Sequence, residues 1–180
     1  MNRLYRILLI ALILSACIGC DQGTKRIAAE RLADAEPILL LRGMIWLHYG
    51  ENSGAFLGFG AALSTELRRH ILVVMVSLLL LGMLLYLLLN ERLRTTEIIA
   101  LTLVFGGGVS NLMDRFWLGV VRDFVVIGVG RLRTGVFNLA DVAITAGGLL
   151  WLLTTWQRQR AEDAPSSSDT DNTMQKESIL

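Results

Sequence analysis

The sequence predicts an all-α membrane protein, four transmembrane helices carrying a small extracytoplasmic β-rich cradle. Three observations lead there. Apolar residues make up 53% of the 180 residues, and the mean hydropathy is +0.54, above what an ordinary soluble domain shows. Ile71–Leu89 carries no charge from end to end, which is long enough to cross a hydrocarbon core of about 30 Å at about 1.5 Å per residue. Finally, the polar residues are gathered. The stretch Gly106–Asp141, entered and left by apolar sequence, holds Asp114, Asp123 and Asp141 together with Asn111 and Asn138. Acids and amides near membrane depth are expensive to place, so they are read first as functional.

At the N-terminus, Arg3 and Arg6 precede the uncharged run Ile7–Cys20. That run has the length of a signal-peptide core and is short for a full span. Leu14-Ser15-Ala16-Cys17 also resembles a lipobox, the cleavage and lipidation signal of bacterial lipoproteins. A chain cut there would begin at Cys17. The apolar pattern instead continues past Asp21 through Ile27, Ala28 and Leu32, so the segment is expected to be a retained first membrane helix.

Residues 22–69 are expected to form the main outer segment. Ile38–Leu41 and Met44–Tyr49 are short apolar or aromatic runs separated by Arg42-Gly43, a hairpin pattern. Turn-forming residues follow in Glu51–Phe56. Ile71–Leu89 is the clearest span, flanked by Arg68 and Arg69 before it and by Glu91, Arg92 and Arg94 after it. Ile98–Met113 reads as the third span, in which Gly106-Gly107-Gly108 favours close helix approach. Val120–Val126 is expected to be extended, Gly128–Gly130 to turn, and Leu139–Trp156 to span, with Trp151 and Trp156 at the interfacial belt. Residues 1–160 would form the membrane domain, and 161–180, serine-rich and polar, a disordered cytoplasmic tail.

Four spans put both termini on one side. Arg3, Arg6, Arg92, Arg94, Arg158 and Arg160 would then face the cytoplasm, as the positive-inside rule asks. Lys25, Arg26, Arg31, Arg68, Arg69, Arg115, Arg122, Arg131 and Arg133 would lie outside, so the asymmetry is partial. A net charge of +1 gives no basic face for nucleic acid. Cys17 and Cys20 lie in an apolar run, where they read as packing residues, and neither His48 nor His70 sits in a zinc-binding pattern. No metal or organic cofactor is expected.

The phrase Asn-Leu-x-Asp occurs twice, at Asn111–Asp114 and Asn138–Asp141, a spacing that puts both side chains on one helical face. Two nearby carboxylates cannot easily both ionise, so such a pair shares a proton. That suits peptide hydrolysis, in which one acid activates water and the other protonates the carbonyl oxygen. Spacing leaves open which two of the three acids would pair, because Arg115 and Arg122 could neutralise either Asp114 or Asp123. The rival reading is a small transporter or channel subunit that uses the acids as an ion path.

Four motifs in order resemble those of the bacterial lipoprotein signal peptidases (signal peptidase II). Asp21-Gln22-Gly23-Thr24-Lys25 looks like Asp-Gln-x-Ser/Thr-Lys. Asn52-Ser53-Gly54-Ala55-Phe56 resembles Asn-x-Gly-Ala. Asn111-Leu112-Met113-Asp114-Arg115 and Val121-Arg122-Asp123-Phe124 are similar to Gly-Asn-x-x-Asp-Arg and Val-x-Asp-Phe, and Phe137–Asp141 to Phe-Asn-x-Ala-Asp. The resemblance covers about residues 4–157. It departs at Ser110, where the family usually has glycine, and at Phe56, where many members have a second alanine. It implies an aspartic endopeptidase of the bacterial inner membrane, acting as a monomer among membrane lipids on diacylglyceryl-modified prolipoproteins and cutting before the lipidated cysteine. It also implies Asp123 and Asp141 as the catalytic pair. Asn52, Gly54, Asn111, Asp114, Arg115 and Asn138 would bind substrate or support the site. Asp21 and Lys25 would either hold the outer sheet or form a surface ion pair of little worth.

Overall fold

The computed structural model describes residues 2–54, 64–130 and 132–162; Ala55 and Phe56 of the second motif, Arg131, and the 163–180 part of the polar tail lie outside the described residues. The architecture follows the expectation: four helices long and apolar enough to cross a membrane, α1 (Arg3–Leu32), α2 (Thr65–Leu89), α3 (Thr95–Trp117) and α4 (Leu139–Glu162). Four strands, β1 (Ile38–Leu40), β2 (Ile45–Asn52), β3 (Val121–Val129) and β4 (Leu132–Arg133), form one antiparallel sheet in that order.

Several boundaries differ from the sequence reading. Helix α1 runs unbroken through Cys17, Asp21 and Lys25 to Leu32, as the continued apolar pattern predicts, so the first part of the 22–69 segment is helical. Helix α3 extends past Met113 to Trp117. Asp21, Lys25 and Asp114, charges able to end a span, are paired inside the protein. The sheet also draws β3 and β4 from after the third helix, so the cradle is built from two distant stretches of chain. Helix α4 continues to Glu162, beyond the point where the sequence turns polar.

Helix α3 is the axis of the bundle and packs against the other three helices. Its glycines explain how. Successive residues on a helix point about 100° apart, and Gly106, Gly107 and Gly108 each meet a different neighbour. A Cβ on Gly106 would lie 3.0 Å from Cys17 Cβ on α1, one on Gly107 2.5 Å from Ala140 O on α4, and one on Gly108 2.7 Å from Leu80 Cδ2 on α2. Gly147 returns the contact, with its Cβ position 2.5 Å from Ala100 O. Lipid tails are as apolar as leucine, so close backbone approach of this kind is a main source of helix association in a membrane. Below it, Ile10, Leu80, Leu87, Ile98, Leu101 and Phe105 form the buried core.

The expected hairpin is present: β1 and β2 pair as Ile38↔Leu47 and Leu40↔Ile45, joined by a 3-10 turn in which Arg42 and Gly43 have positive φ. Pairing of β2 with β3 slips between Leu47 and Gly50, a bulge next to the Gly50↔Asp123 pair. Bulges bend a strand and re-aim its side chains. Ala28 and Leu32 of α1 pack on Phe124, fixing the sheet to one end of the bundle.

Gly107→Ala is expected to destabilise the fold by about 1–3 kcal/mol, because the new methyl has to push the start of α4 away. Gly19→Ala, whose Cβ meets nothing within 4 Å, should leave stability unchanged or slightly higher. Thermal unfolding of both variants in the same micelle compares them directly.

Candidate active site

Where α1, α3 and α4 meet the sheet, three charged side chains are shut away from solvent. Lys25 is 0% exposed, and Asp21 and Asp114 are each 1% exposed. Lys25 Nζ lies 2.6 Å from Asp21 Oδ2 and 3.3 Å from Asp114 Oδ2, and donates to Asn111 Oδ1 at 2.8 Å. Arg122 meets Asp114 from the other side. Its Nη2 is 2.7 Å from Asp114 Oδ1, and its backbone N–H donates to Asp114 Oδ2 at 3.1 Å. Two acids and two bases therefore cancel within one cluster, as buried charges must. Asp21 and Lys25 form an interior pair, not the surface pair that their i, i+4 spacing also allowed.

Asp21 does more than neutralise Lys25. Its Oδ1 accepts from the backbone N–H of Ala140 at 2.8 Å, pinning the first turn of α4 to α1. Its Oδ2 accepts from Ser110 Oγ at 2.7 Å. Gln22 donates to Ser110 and to Asp114, and accepts from Arg122 at 2.9 Å.

From this cluster a chain of amides reaches two further carboxylates. Asn111 Nδ2 donates to Asp141 Oδ1 at 2.9 Å. Asn138 Nδ2 donates to Asp123 Oδ1 at 2.6 Å and to Asn111 Oδ1 at 3.2 Å. Asn138 and Asp141 also form a reciprocal cap on α4. Asp141 N donates to Asn138 Oδ1 at 3.0 Å, and Asn138 N donates to Asp141 Oδ2 at 3.1 Å; the acid stands at the third helical position, where capping boxes place one. The second Asn-Leu-x-Asp phrase is thus a helix start, whereas Asn111 and Asp114 lie inside α3 with their hydrogen-bonding groups turned to other elements.

Strand geometry separates Asp123 from its neighbour. Adjacent strand residues point to opposite faces, so Arg122 reaches Asp114 while Asp123 reaches Asn138. Asp123 is 3% exposed, and Asn52 Nδ2 donates to its Oδ2 at 3.2 Å. Burial pushes the Asp123 carboxyl up from the usual range. The amides of Asn138 and Asn52 oppose that shift, and the nearby charge of Asp141 adds to it. Gly54 holds Asn52 in place through its N–H to Asn52 Oδ1 at 2.9 Å, with a φ of +86°.

Two cavities open onto this pair. One, about 590 Å³, runs along α4 from Asp141 past Val142 and Ala146 to Leu149 and is almost wholly apolar. The other, about 380 Å³, is bounded by Gly50, Asn52, Ser53 and Asp123. Gly135 and Val136 line both.

All the acids and amides singled out in the sequence gather at this end of the bundle. Arg115 is near enough for its guanidinium to feel Asp141, Asp123 and Asp114, yet its buried Nε has no partner among the described residues. Asp114 braces Arg122 and the turn after α3, and not Arg115. Sequence reasoning left Gln22, Ser110 and Arg122 out of the site. Gln22 had a visible signal in the first motif. Ser110 acquires its role only through partners far away in sequence, and Arg122, already a candidate partner of Asp114, is joined to the cluster by distant Gln22. Asp21, within α1, is itself tied to Lys25, Ser110 and Ala140, so it belongs to the buried network and does not stand as a free carboxylate along an ion path.

Residues 13–157 match the family described as Signal peptidase (SPase) II. The chain is 33% identical over 147 residues to a lipoprotein signal peptidase of Chlorobium phaeobacteroides, covering 77% of this chain and 84% of that one. It is 34% identical over 145 residues to that of Desulforapulum autotrophicum, covering 79% and 88%. Among solved structures it is similar to a bacterial membrane enzyme determined by the in meso method at 2.3 Å. There the TM-score is 0.75 at 22% identity, covering 87% of this chain and 93% of the other, and the likeness is one of fold.

Lys25→Met is expected to cost about 3–5 kcal/mol, since it leaves Asp21 and Asp114 short of their shared cation. Circular dichroism during heating in detergent would read the loss. An unfolding temperature equal to that of wild type would mean that the cluster does not hold the helices together.

Proposed function

The chain belongs to the signal peptidase II family, and we propose that Asp123 and Asp141 are the acids with which it hydrolyses the peptide bond. It is an aspartic endopeptidase and a multi-pass protein of a bacterial membrane, and it removes signal peptides from prolipoproteins. The observation that carries the assignment is the single amide of Asn138, which binds Asp123 through its side chain and Asp141 through its backbone and side chain. Asp114, the remaining candidate, has both oxygens engaged by Lys25, Gln22 and Arg122. A carboxylate held by two cations has no proton to give and little basicity to offer.

In this reading Asp123 carries the shared proton, since burial and its neighbour favour the neutral form. Asp141, which accepts from Asn111 and Asn138, serves as the base. Asp141 takes a proton from water as the water attacks the scissile carbonyl, while Asp123 donates to the carbonyl oxygen. Asp141 then passes its proton to the departing amide nitrogen while Asp123 takes back its own from the tetrahedral diol, which releases the signal peptide and the new N-terminus, and no covalent enzyme intermediate forms. The apolar cavity along α4 fits a membrane-embedded part of the substrate, and the polar cleft at Asn52 fits the extended chain near the cut. The scissile bond lies before a diacylglyceryl-modified cysteine. The site faces outward and both termini face the cytoplasm. Supporting this, Arg3, Arg6, Arg92, Arg94, Arg158 and Arg160 belong to the end of the bundle away from the carboxylates. Asn111, Asn138 and Asn52 orient the acids, and Arg115 faces the substrate. The protein acts as a monomer.

With a lipidated prolipoprotein reporter and purified protein, Asp123→Asn and Asp141→Asn should each lower turnover by about 10²-fold to 10⁴-fold or more. Asp114→Asn should keep turnover in its folded fraction while lowering stability. A dead but well-folded Asp114→Asn beside an active Asp123→Asn would move the pair to Asp114 and Asp141.

The pH profile offers a separate check. The acid has to be protonated to donate, so activity falls as pH rises through the Asp123 pKa. Because that pKa is raised, the alkaline limb should lie above the ordinary aspartate value of about 3.9. Asn52→Ala removes a hydrogen bond that favours the ionised form and should move this limb to still higher pH. A shift to lower pH would reverse the roles given to the two acids.

A further inference from the structure

At the other end of the bundle, a gap between α2 and α4 is floored by α3. Gly82 and Tyr86 of α2, Leu101 and Val104 of α3, and Gly148 and Trp151 of α4 enclose an apolar cavity of about 650 Å³. Tyr86 and Trp151 also wall a second cavity of about 280 Å³, lined further by Arg92, Glu97, Thr155 and Arg158. The two cavities make one groove, oily within the spans and polar where it reaches the loop between α2 and α3.

We propose that this groove is a binding site for a phospholipid with an anionic headgroup, its phosphate beside Arg92 and Arg158 and an acyl chain in the apolar half. Charge supports this occupant. Glu97 is the acid lining the polar half. It is already engaged, accepting from Arg94 N at 2.8 Å and lying 3.8 Å from Arg158. Arg92 makes no side-chain hydrogen bond or ion pair among the described residues, and it stands in the polar half as uncompensated positive charge. Arginine binds phosphate through paired N–H groups, and basic pockets between transmembrane helices are where anionic headgroups settle. The shape agrees. A Cβ on Gly82 or on Gly148 would meet nothing within 4 Å, so both walls stand open at the depth an acyl chain occupies. Tyr86 and Trp151 sit between the halves, as aromatic side chains do at the boundary between hydrocarbon and headgroup. The site lies on the opposite side of the membrane from the carboxylates and belongs to the leaflet at the arginine-rich end.

Native mass spectrometry of the full chain released from detergent tests this, with phosphatidylglycerol and phosphatidylcholine of the same acyl chains titrated separately. Wild type should retain one phosphatidylglycerol in preference to phosphatidylcholine. Arg92→Gln should weaken phosphatidylglycerol by about fivefold, the factor that corresponds to about 1 kcal/mol for one arginine near a lipid surface, and leave phosphatidylcholine unchanged. Gly148→Leu should weaken both by filling the apolar half. Arg92 has no partner to lose, so its substitution reads binding without disturbing the fold, and peptide cleavage at the far end does not enter the readout. Equal retention of the two lipids by wild type would overturn the proposal. So would phosphatidylglycerol binding that neither variant alters. Dimers appearing in place of lipid adducts would assign the groove to a second copy of the chain and overturn it as well.

Discussion

The buried ammonium of Lys25 is the contact on which the other functional positions depend. It rises from α1 between Asp21 of the same helix and Asp114 of α3, and Asn111 gives it a third acceptor. Moving a lone ammonium into such a place would cost several kcal/mol, and only close, complete pairing offsets that. The pairing therefore acts at a distance. For Lys25 to be satisfied, Asp21 and Asp114 must stand where they do. Asp21 then captures Ala140 N, which fixes where α4 begins, and Asp114 captures Arg122, which fixes where β3 leaves α3. These two starting points carry Asp141 and Asp123. The charges that hold the bundle together and the acids that face the cavities are separate groups joined by a short chain of amides.

The amides divide labour in a way that their residue type explains. Each asparagine offers a donor and an acceptor on one rigid plane, so it can receive from the structural cluster and give to a carboxylate. Asn111 accepts from Lys25 and donates to Asp141. Asn138 donates to Asp123 while its oxygen caps the backbone N–H of Asp141. Aspartate in either place could not donate. Ser110 adds a hydroxyl that also works in both directions, from Gln22 and toward Asp21. A glycine there would leave Asp21 and Gln22 each without one of these partners.

The bundle has two unlike ends because α3 makes opposite compromises along its length. At its middle the three glycines draw all three partners close, and the network above needs that closeness, since its hydrogen bonds run between helices. Toward its start α3 carries Glu97, Leu101 and Val104 under a gap that α2 and α4 do not close. The tight end holds the carboxylates and amides in one network. The open end keeps a gap between α2 and α4, walled by glycines within and arginines at its mouth.

The sequence by itself determined the four spans, the hairpin and the ends at which polar residues gather, because hydropathy and turn chemistry are local properties of the chain. It also placed every acid and amide of the site in four short motifs. It could not say where α3 stops, since whether a charge ends a membrane helix depends on whether a partner waits for it inside the protein. Asp114 looks like a boundary until it is seen paired. Nor could it choose between Asp114 and Asp123, each of which has an arginine next to it in sequence. The tertiary structure decided that Arg122 goes to Asp114, because alternation along β3 turns Arg122 and Asp123 to opposite faces. Pairing of β2 with β3 decided it further, by bringing Asn52 to Asp123 across 71 residues of chain. Such contacts depend on how distant elements dock, and that information is carried by packing and not by any stretch of sequence alone.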